Sequence, residues 1–190
     1  MIVYIHGNNA TPLSFSYIRG AINQAAICLN YDSKNGFMVN LRRFVDELEN
    51  IPQIFFVGHS LGGIYALHLA NIFPEKVVGG VTLSTPFGGC KSADMIKYML
   101  PFSQVMKDIG TDSSPVTDTH RMSIGAPWVN VVSTGGSSPF IMGRNDGVVS
   151  YESMTHLSSK MDIIELEANH FEILMHPNVV DIIQKRQRRI

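Results

Sequence analysis

Short apolar runs alternate with segments of helical period along most of the chain. Ile2–Ile5, Ile27–Tyr31, Ile54–Val57, Val77–Leu83, Trp128–Val132 and Ile163–Leu166 are rich in Ile, Val, Phe or Tyr and bounded by Gly, Pro, Asn, Asp or Ser, the signature of strands. They are nearly continuous in hydrophobicity, as strands covered on both faces are. Between them, Phe37–Leu48 sets Phe37, Leu41, Phe44, Val45 and Leu48 on one side of a helix, with Arg42, Arg43, Asp46 and Glu47 opposite. Gly63–Phe73 predicts a second helix, stopped by Pro74, and Pro177–Gln187 a third, with Val179, Val180, Ile182 and Ile183 inward. This alternation predicts an α/β fold: a mostly parallel six-stranded sheet with helices on both faces.

The rhythm breaks between Cys90 and Gly125, where no strand pattern occurs. Met95, Met99, Phe102 and Met106 fall at i, i+4, i+7 and i+11, one helical stripe interrupted at Pro101, and a Ser/Thr/Asp-rich stretch runs from Gly110 to Thr119. An excursion of this length inside a compact domain is either disordered or a lid over a site, and we read it as a cap or lid insertion at about 90–125. The Met95/Met99/Phe102/Met106 stripe then lines a substrate pocket, or it packs as ordinary core; the two roles are compatible.

At 190 residues the chain reads as a single domain over 1–190, large enough to hold a core without disulfide or metal. Hydrophobic residues at 45% and charged residues at 16% exclude a disordered chain and a charged coiled coil. A net charge of −1 supplies no field to draw nucleic acid or an anionic membrane. The basic tail Lys185–Arg189 matches a helix dipole rather than a nucleic-acid site. Cys28 and Cys90 are too few for a disulfide framework, and no His/Cys/Asp cluster has ligand spacing, so neither metal nor other cofactor is expected. The opening Met-Ile-Val-Tyr-Ile-His-Gly lacks a leader pattern, and no apolar run nears the ~18 residues of a membrane span. The expectation is a cytoplasmic protein without integral membrane association.

The sharpest local signal is Gly58-His59-Ser60-Leu61-Gly62-Gly63, directly after one apolar run and opening a helix. A nucleophile on so tight a strand-to-helix turn needs small residues two positions to either side, and the helix N-terminus beneath it favours developing negative charge. Ser60 is the candidate nucleophile. A serine hydroxyl needs a base to take its proton and a third group to orient that base, and in open α/β sheets such groups follow the carboxyl ends of later strands. His170 fits as base, just beyond Ile163–Leu166; His176 is the alternative, although Pro177 beside it suggests a helix start. His59 reads as fixed inside the turn and directed elsewhere, and His6 as shaping its loop.

For the acid, Gly143-Arg144-Asn145-Asp146-Gly147 is a turn after a strand, and Asp146 lies between Ser60 and His170 in chain order. Asn-Asp-Gly is also simply a good turn, and Asp32 follows a strand but precedes the nucleophile. A tetrahedral intermediate needs two backbone donors, predicted at the amides of Leu61 and Asn8, the latter in the loop after the first strand.

Together these motifs resemble the α/β-hydrolase family over nearly the whole chain: a His-Gly loop at the start, Gly-His-Ser-Leu-Gly-Gly, Asp146 in Asp-Gly-Val-Val, and His170 near the end. Ser84-Thr85-Pro86-Phe87-Gly88-Gly89 makes the likeness closer to the lipase and esterase branch than to those whose nucleophile is Asp. The departure is at the front, where the two antiparallel edge strands usual in the family are missing, as in minimal lipases. The resemblance implies a serine hydrolase that cleaves a small-molecule carboxylic ester, with an apolar acyl chain, through an acyl-enzyme. Thioester cleavage and acyl transfer would use the same groups, and a non-catalytic small-molecule binder on this scaffold is the alternative of a different class.

Overall fold

A computed structural model of the chain describes residues 1–90 and 107–188. The apolar runs form a six-stranded sheet in the order β2-β1-β3-β4-β5-β6, and every pairing is parallel. The strands are β1 Ile2–Ile5, β2 Ala26–Leu29, β3 Ile54–His59, β4 Val77–Leu83, β5 Trp128–Ser133 and β6 Asp162–Leu166. The α-helices described in full are α1 Ser16–Ile22, α2 Phe37–Leu48, α3 Leu61–Ile72, α4 Ser114–Arg121, α5 Tyr151–Met154 and α6 Pro177–Gln187.

Neighbouring residues on a strand point to opposite faces, and here both faces are covered. Val3, Ile5, Ile54 and Phe56 pack with Phe37, Leu41 and Phe44 of α2 and Ile64 and Tyr65 of α3. Ile2, Tyr4, Phe55 and Val57 pack on the other side with Ile18 and Ile22 of α1 and Val179 and Ile183 of α6. That double burial is why the strands read as continuous apolar runs.

Three differences from the sequence reading have identifiable causes. Helix α3 begins at Leu61, two residues before the predicted start, because it follows the turn at Ser60 without a spacer and takes Gly62 and Gly63 into its first turn. Helix α1 buries Ile18 and Ile22, with Phe15 just before it at the same spacing, but it is only 7 residues long and holds Gly20, so its pattern is weak. Helix α4 occupies part of the polar stretch in the 90–125 excursion, started by Pro115 and anchored by buried Val116 and Thr119.

The described part of that excursion is tied to the sheet's helices. The Asp108 carboxylate accepts the amide of Phe37 at 2.9 Å, at the start of α2, and His68 Nε2 donates to the Pro115 carbonyl at 2.8 Å. Met95, Met99, Phe102 and Met106 lie outside the described residues.

The sheet order reverses at β1, which lies between β2 and β3. Ile5 sits in register with Gly58, so the loops after β1 and β3 leave the carboxyl edge side by side. In open α/β sheets this is where ligand crevices form.

Candidate active site

Ser60 stands between β3 and α3 with φ 53° and ψ −124°, a conformation few side-chain-bearing residues adopt and one that costs ~1–3 kcal/mol. Contacts on all sides hold the turn. The Ser60 amide donates to the Leu83 carbonyl at 2.9 Å, and the Ser60 carbonyl accepts from Gly63 at 2.9 Å. The glycines two positions away are steric necessities: a Cβ on Gly58 would come within 2.7 Å of the Gly63 backbone, and one on Gly62 would run into the Ile5 carbonyl.

Ser60 and His170 line one cavity of about 250 Å³ at the carboxyl edge, and Asn8 and Leu61 line it too. Leu61 opens α3, so its amide has no acceptor within the helix. Much of the remaining wall is apolar, including Pro86, Ile109, Val149 and Leu174.

His170 lies beyond β6 and is 3% exposed. Its Nδ1 is 2.7 Å from Asp146 Oδ2, and its backbone amide donates to the Asp146 carbonyl at 2.9 Å. A carboxylate facing Nδ1 selects the tautomer that carries its proton there and leaves Nε2 as the acceptor. Asp146 is 1% exposed and fully hydrogen-bonded. Its Oδ1 accepts the amides of Val148 at 3.0 Å and Val149 at 2.7 Å, while Oδ2 also accepts the Ser133 hydroxyl at 2.6 Å. Burial alone would raise the Asp146 pKa. The His170 ring, the Ser133 hydroxyl and the Val149 amide outweigh it and hold the carboxyl below its ordinary range.

A second hydroxyl extends this chain. Ser133 spends its proton on Asp146, so at 2.6 Å from Ser84 Oγ it must accept, with Ser84 as donor. Both serines are fully buried, and Ser84 has a positive φ of 51°. The sequence reading missed this pair. Each serine ends an apolar run, and only the parallel pairing of β4 with β5 brings them together.

The competing candidates have other partners. His176 Nδ1 accepts the Asn178 amide at 3.2 Å and caps α6. Asp32 accepts the Lys34 amide at 2.9 Å and caps a turn. His6 stacks on Tyr31 with ring centroids 4.3 Å apart and bonds the Gly7 carbonyl from Nδ1 at 2.8 Å, holding the loop that carries Asn8. His59 is not directed elsewhere. Its ring centroid lies 4.8 Å from that of His170, and its Nε2 donates to the His170 carbonyl at 2.9 Å. Burial, with His170 nearby, pushes the His59 pKa down to about 3, so the ring is neutral.

Among the described residues, no group of three or more His, Cys, Asp or Glu side chains is arranged to hold a metal, and no helix is long and apolar enough to cross a membrane.

No protein-family model matches the chain, and no curated protein matches it in sequence. Solved structures do match its fold. A lipase-esterase related protein from Clostridium acetobutylicum has a TM-score of 0.70 at 14% identity, over 100% of this chain and 93% of its own. The lipase BlEst2 of Bacillus licheniformis has a TM-score of 0.68 at 16% identity, over 97% of this chain and 90% of its own. The RedJ thioesterase of the prodiginine pathway in Streptomyces coelicolor has a TM-score of 0.64 at 12% identity, over 100% of this chain and 85% of its own. An all-parallel sheet of this order, a strained serine on its strand-to-helix turn and these neighbours give one conclusion: the chain has the α/β-hydrolase fold.

Proposed function

We propose that this protein is a serine hydrolase that cleaves small-molecule carboxylic esters through an acyl-enzyme on Ser60. The observation that carries the reading is the buried His170–Asp146 hydrogen bond of 2.7 Å, with His170 on the same cavity as the strained Ser60. In this reading His170 Nε2 takes the Ser60 proton as Oγ attacks the ester carbonyl carbon. The negative charge passes to the carbonyl oxygen, and the amides of Leu61 and Asn8 stabilise it. His170 then gives its proton to the departing alkoxide, and the C–O bond breaks. Water, deprotonated by the same nitrogen, releases the acid and restores Ser60. Asp146 keeps the ring in the tautomer this sequence needs. The apolar cavity wall supports an apolar acyl group, and Cys90 and Ile109 on that wall support a cap role for the 90–125 segment.

Thioester cleavage remains a second reading. It draws on the likeness to the RedJ thioesterase and needs no different residue.

A fluorophosphonate, followed by peptide mapping, tests the proposal. Wild type labels at Ser60, and Ser60→Ala neither labels nor hydrolyses nitrophenyl esters, with kcat lowered on the order of 10⁶-fold. His170→Ala loses activity to a similar degree, while His176→Ala affects chiefly α6. A folded wild type that never labels belongs to a binding protein instead, and nitrophenyl esters against acyl thioesters decide the substrate class.

A further inference from the structure

The proposed chemistry leaves one buried imidazole without a role. His59, 3% exposed, immediately precedes Ser60, and its Nε2 reaches 111 positions along the chain to the His170 carbonyl. Its Nδ1 is buried and has no hydrogen-bond partner among the described residues. Gly7 closes over that edge, where a Cβ would come within 3.0 Å of Nδ1.

Consider what else holds His170. Its amide and its Nδ1 both bond to the single residue Asp146. Two attachments to one residue define an axis about which the imidazole and its loop can still swing. A third attachment off that axis removes the swing, and the His170 carbonyl supplies it. The donor comes from the residue joined covalently to Ser60, so the strained turn and the base are held by one short linkage. The donor must also be neutral, because a cation there would oppose the positive charge that His170 acquires during the reaction.

We infer that His59 is a positioning residue, its Nε2–H bond to the His170 carbonyl setting the placement of the His170 ring relative to Ser60. This rests on the reading of Ser60 as nucleophile and His170 as base. His59 touches no reacting atom.

His59→Gln and His59→Met make the test, because the two side chains are of equal length and only Gln carries an N–H donor. Each folded variant is assayed for kcat and KM on nitrophenyl acetate and for the rate of Ser60 labelling. A misplacement of about an ångström costs ~10²-fold, so His59→Met lowers kcat by about that factor, slows labelling in parallel and leaves KM within about threefold. His59→Gln recovers kcat to within about tenfold of wild type, since the donor is restored and only its geometry differs. Wild-type kcat in His59→Met overturns the inference. So does a His59→Gln variant as slow as His59→Met, because the ring would then act only by filling space. If His59→Met does not fold, His59→Gln decides alone: near-wild-type kcat supports the role, and a ~10²-fold loss overturns it. Failure of the underlying reading is separate and visible in wild type, which would then show neither turnover nor labelling, and the inference would fall with it.

Discussion

Asp146 carries opposed effects, and their balance explains why a turn aspartate can orient an imidazole. Burial favours the neutral acid, while two amides, the Ser133 hydroxyl and the His170 ring favour the carboxylate. The donors win, and the carboxyl is held below its usual range. Ser133→Ala removes one donor and strands the Ser84 hydroxyl in a fully buried place. An unsatisfied buried group costs ~1–3 kcal/mol, so Ser133→Ala lowers stability by that order and reduces kcat about tenfold, read by denaturant unfolding and ester assay. Ser84→Ala on that background costs less than it does alone, because its partner is already gone. Equal losses on both backgrounds would show that the two hydroxyls act independently. Ser60 was legible through its glycine-flanked turn, and Asp146 and His170 through their chain order and their places after later strands. Ser84 follows β4 and Ser133 ends β5 with nothing local to join them, and His59 was misjudged in direction; neighbours distant in sequence decide what all three do.

The turn at Ser60 is where local sequence and tertiary structure agree most closely. Its glycines were legible as a tight turn, and the structure adds what they avoid. Gly62 lies against the β1 backbone, at the Ile5 and His6 carbonyls, which no side-chain rotation can relieve. Gly62→Ala therefore forces β1 and α3 apart. Overpacking costs ~1–3 kcal/mol, and against backbone the upper end is expected; at ~2–4 °C per kcal/mol, Tm falls by about 6–12 °C. Activity falls with it, since Leu61 precedes Gly62 and its amide moves. A melting point within about a degree of wild type would show that the strand has slack to give. Long, periodic elements were legible: Phe37–Leu48 and Pro177–Gln187 form with the expected bounds. Short or polar ones were not. Helix α4 looks like loop from its Ser, Thr and Asp content, and Asp108 gave no sign that it would receive the first amide of α2. Helices of that length owe their existence to packing rather than propensity.

At the scale of the molecule, a sheet covered on both faces leaves several histidines buried, where loss of water disfavours the charged ring. His6, His59 and His68 all have pKa values lowered first of all by burial, His59 to about 3. The consequence for stability has a definite sign. A histidine whose folded pKa is depressed binds a proton more readily in the unfolded chain, so acid favours unfolding once the pH drops below the unfolded value of ~6.5. For His59 that loss continues until the pH nears about 3, where the folded ring also protonates. Asp146 adds to it later: its carboxylate stabilises the fold above the ordinary carboxyl range, and that contribution disappears only as the pH falls through its lowered folded value. One buried neutral histidine gives a slope of up to ~1.4 kcal/mol per pH unit, and three acting together give more. Denaturant unfolding at pH 7.5, 6.5, 5.5 and 4.5 should therefore show stability falling least between the first two and by at least ~1 kcal/mol per unit between the last two. His68→Gln removes a ring that binds a proton more readily in the unfolded chain than in the fold, so it makes the acid limb shallower even where it lowers stability at neutral pH. A wild-type curve level down to pH 4.5 would mean that these rings take up protons in the folded state and that water reaches them there.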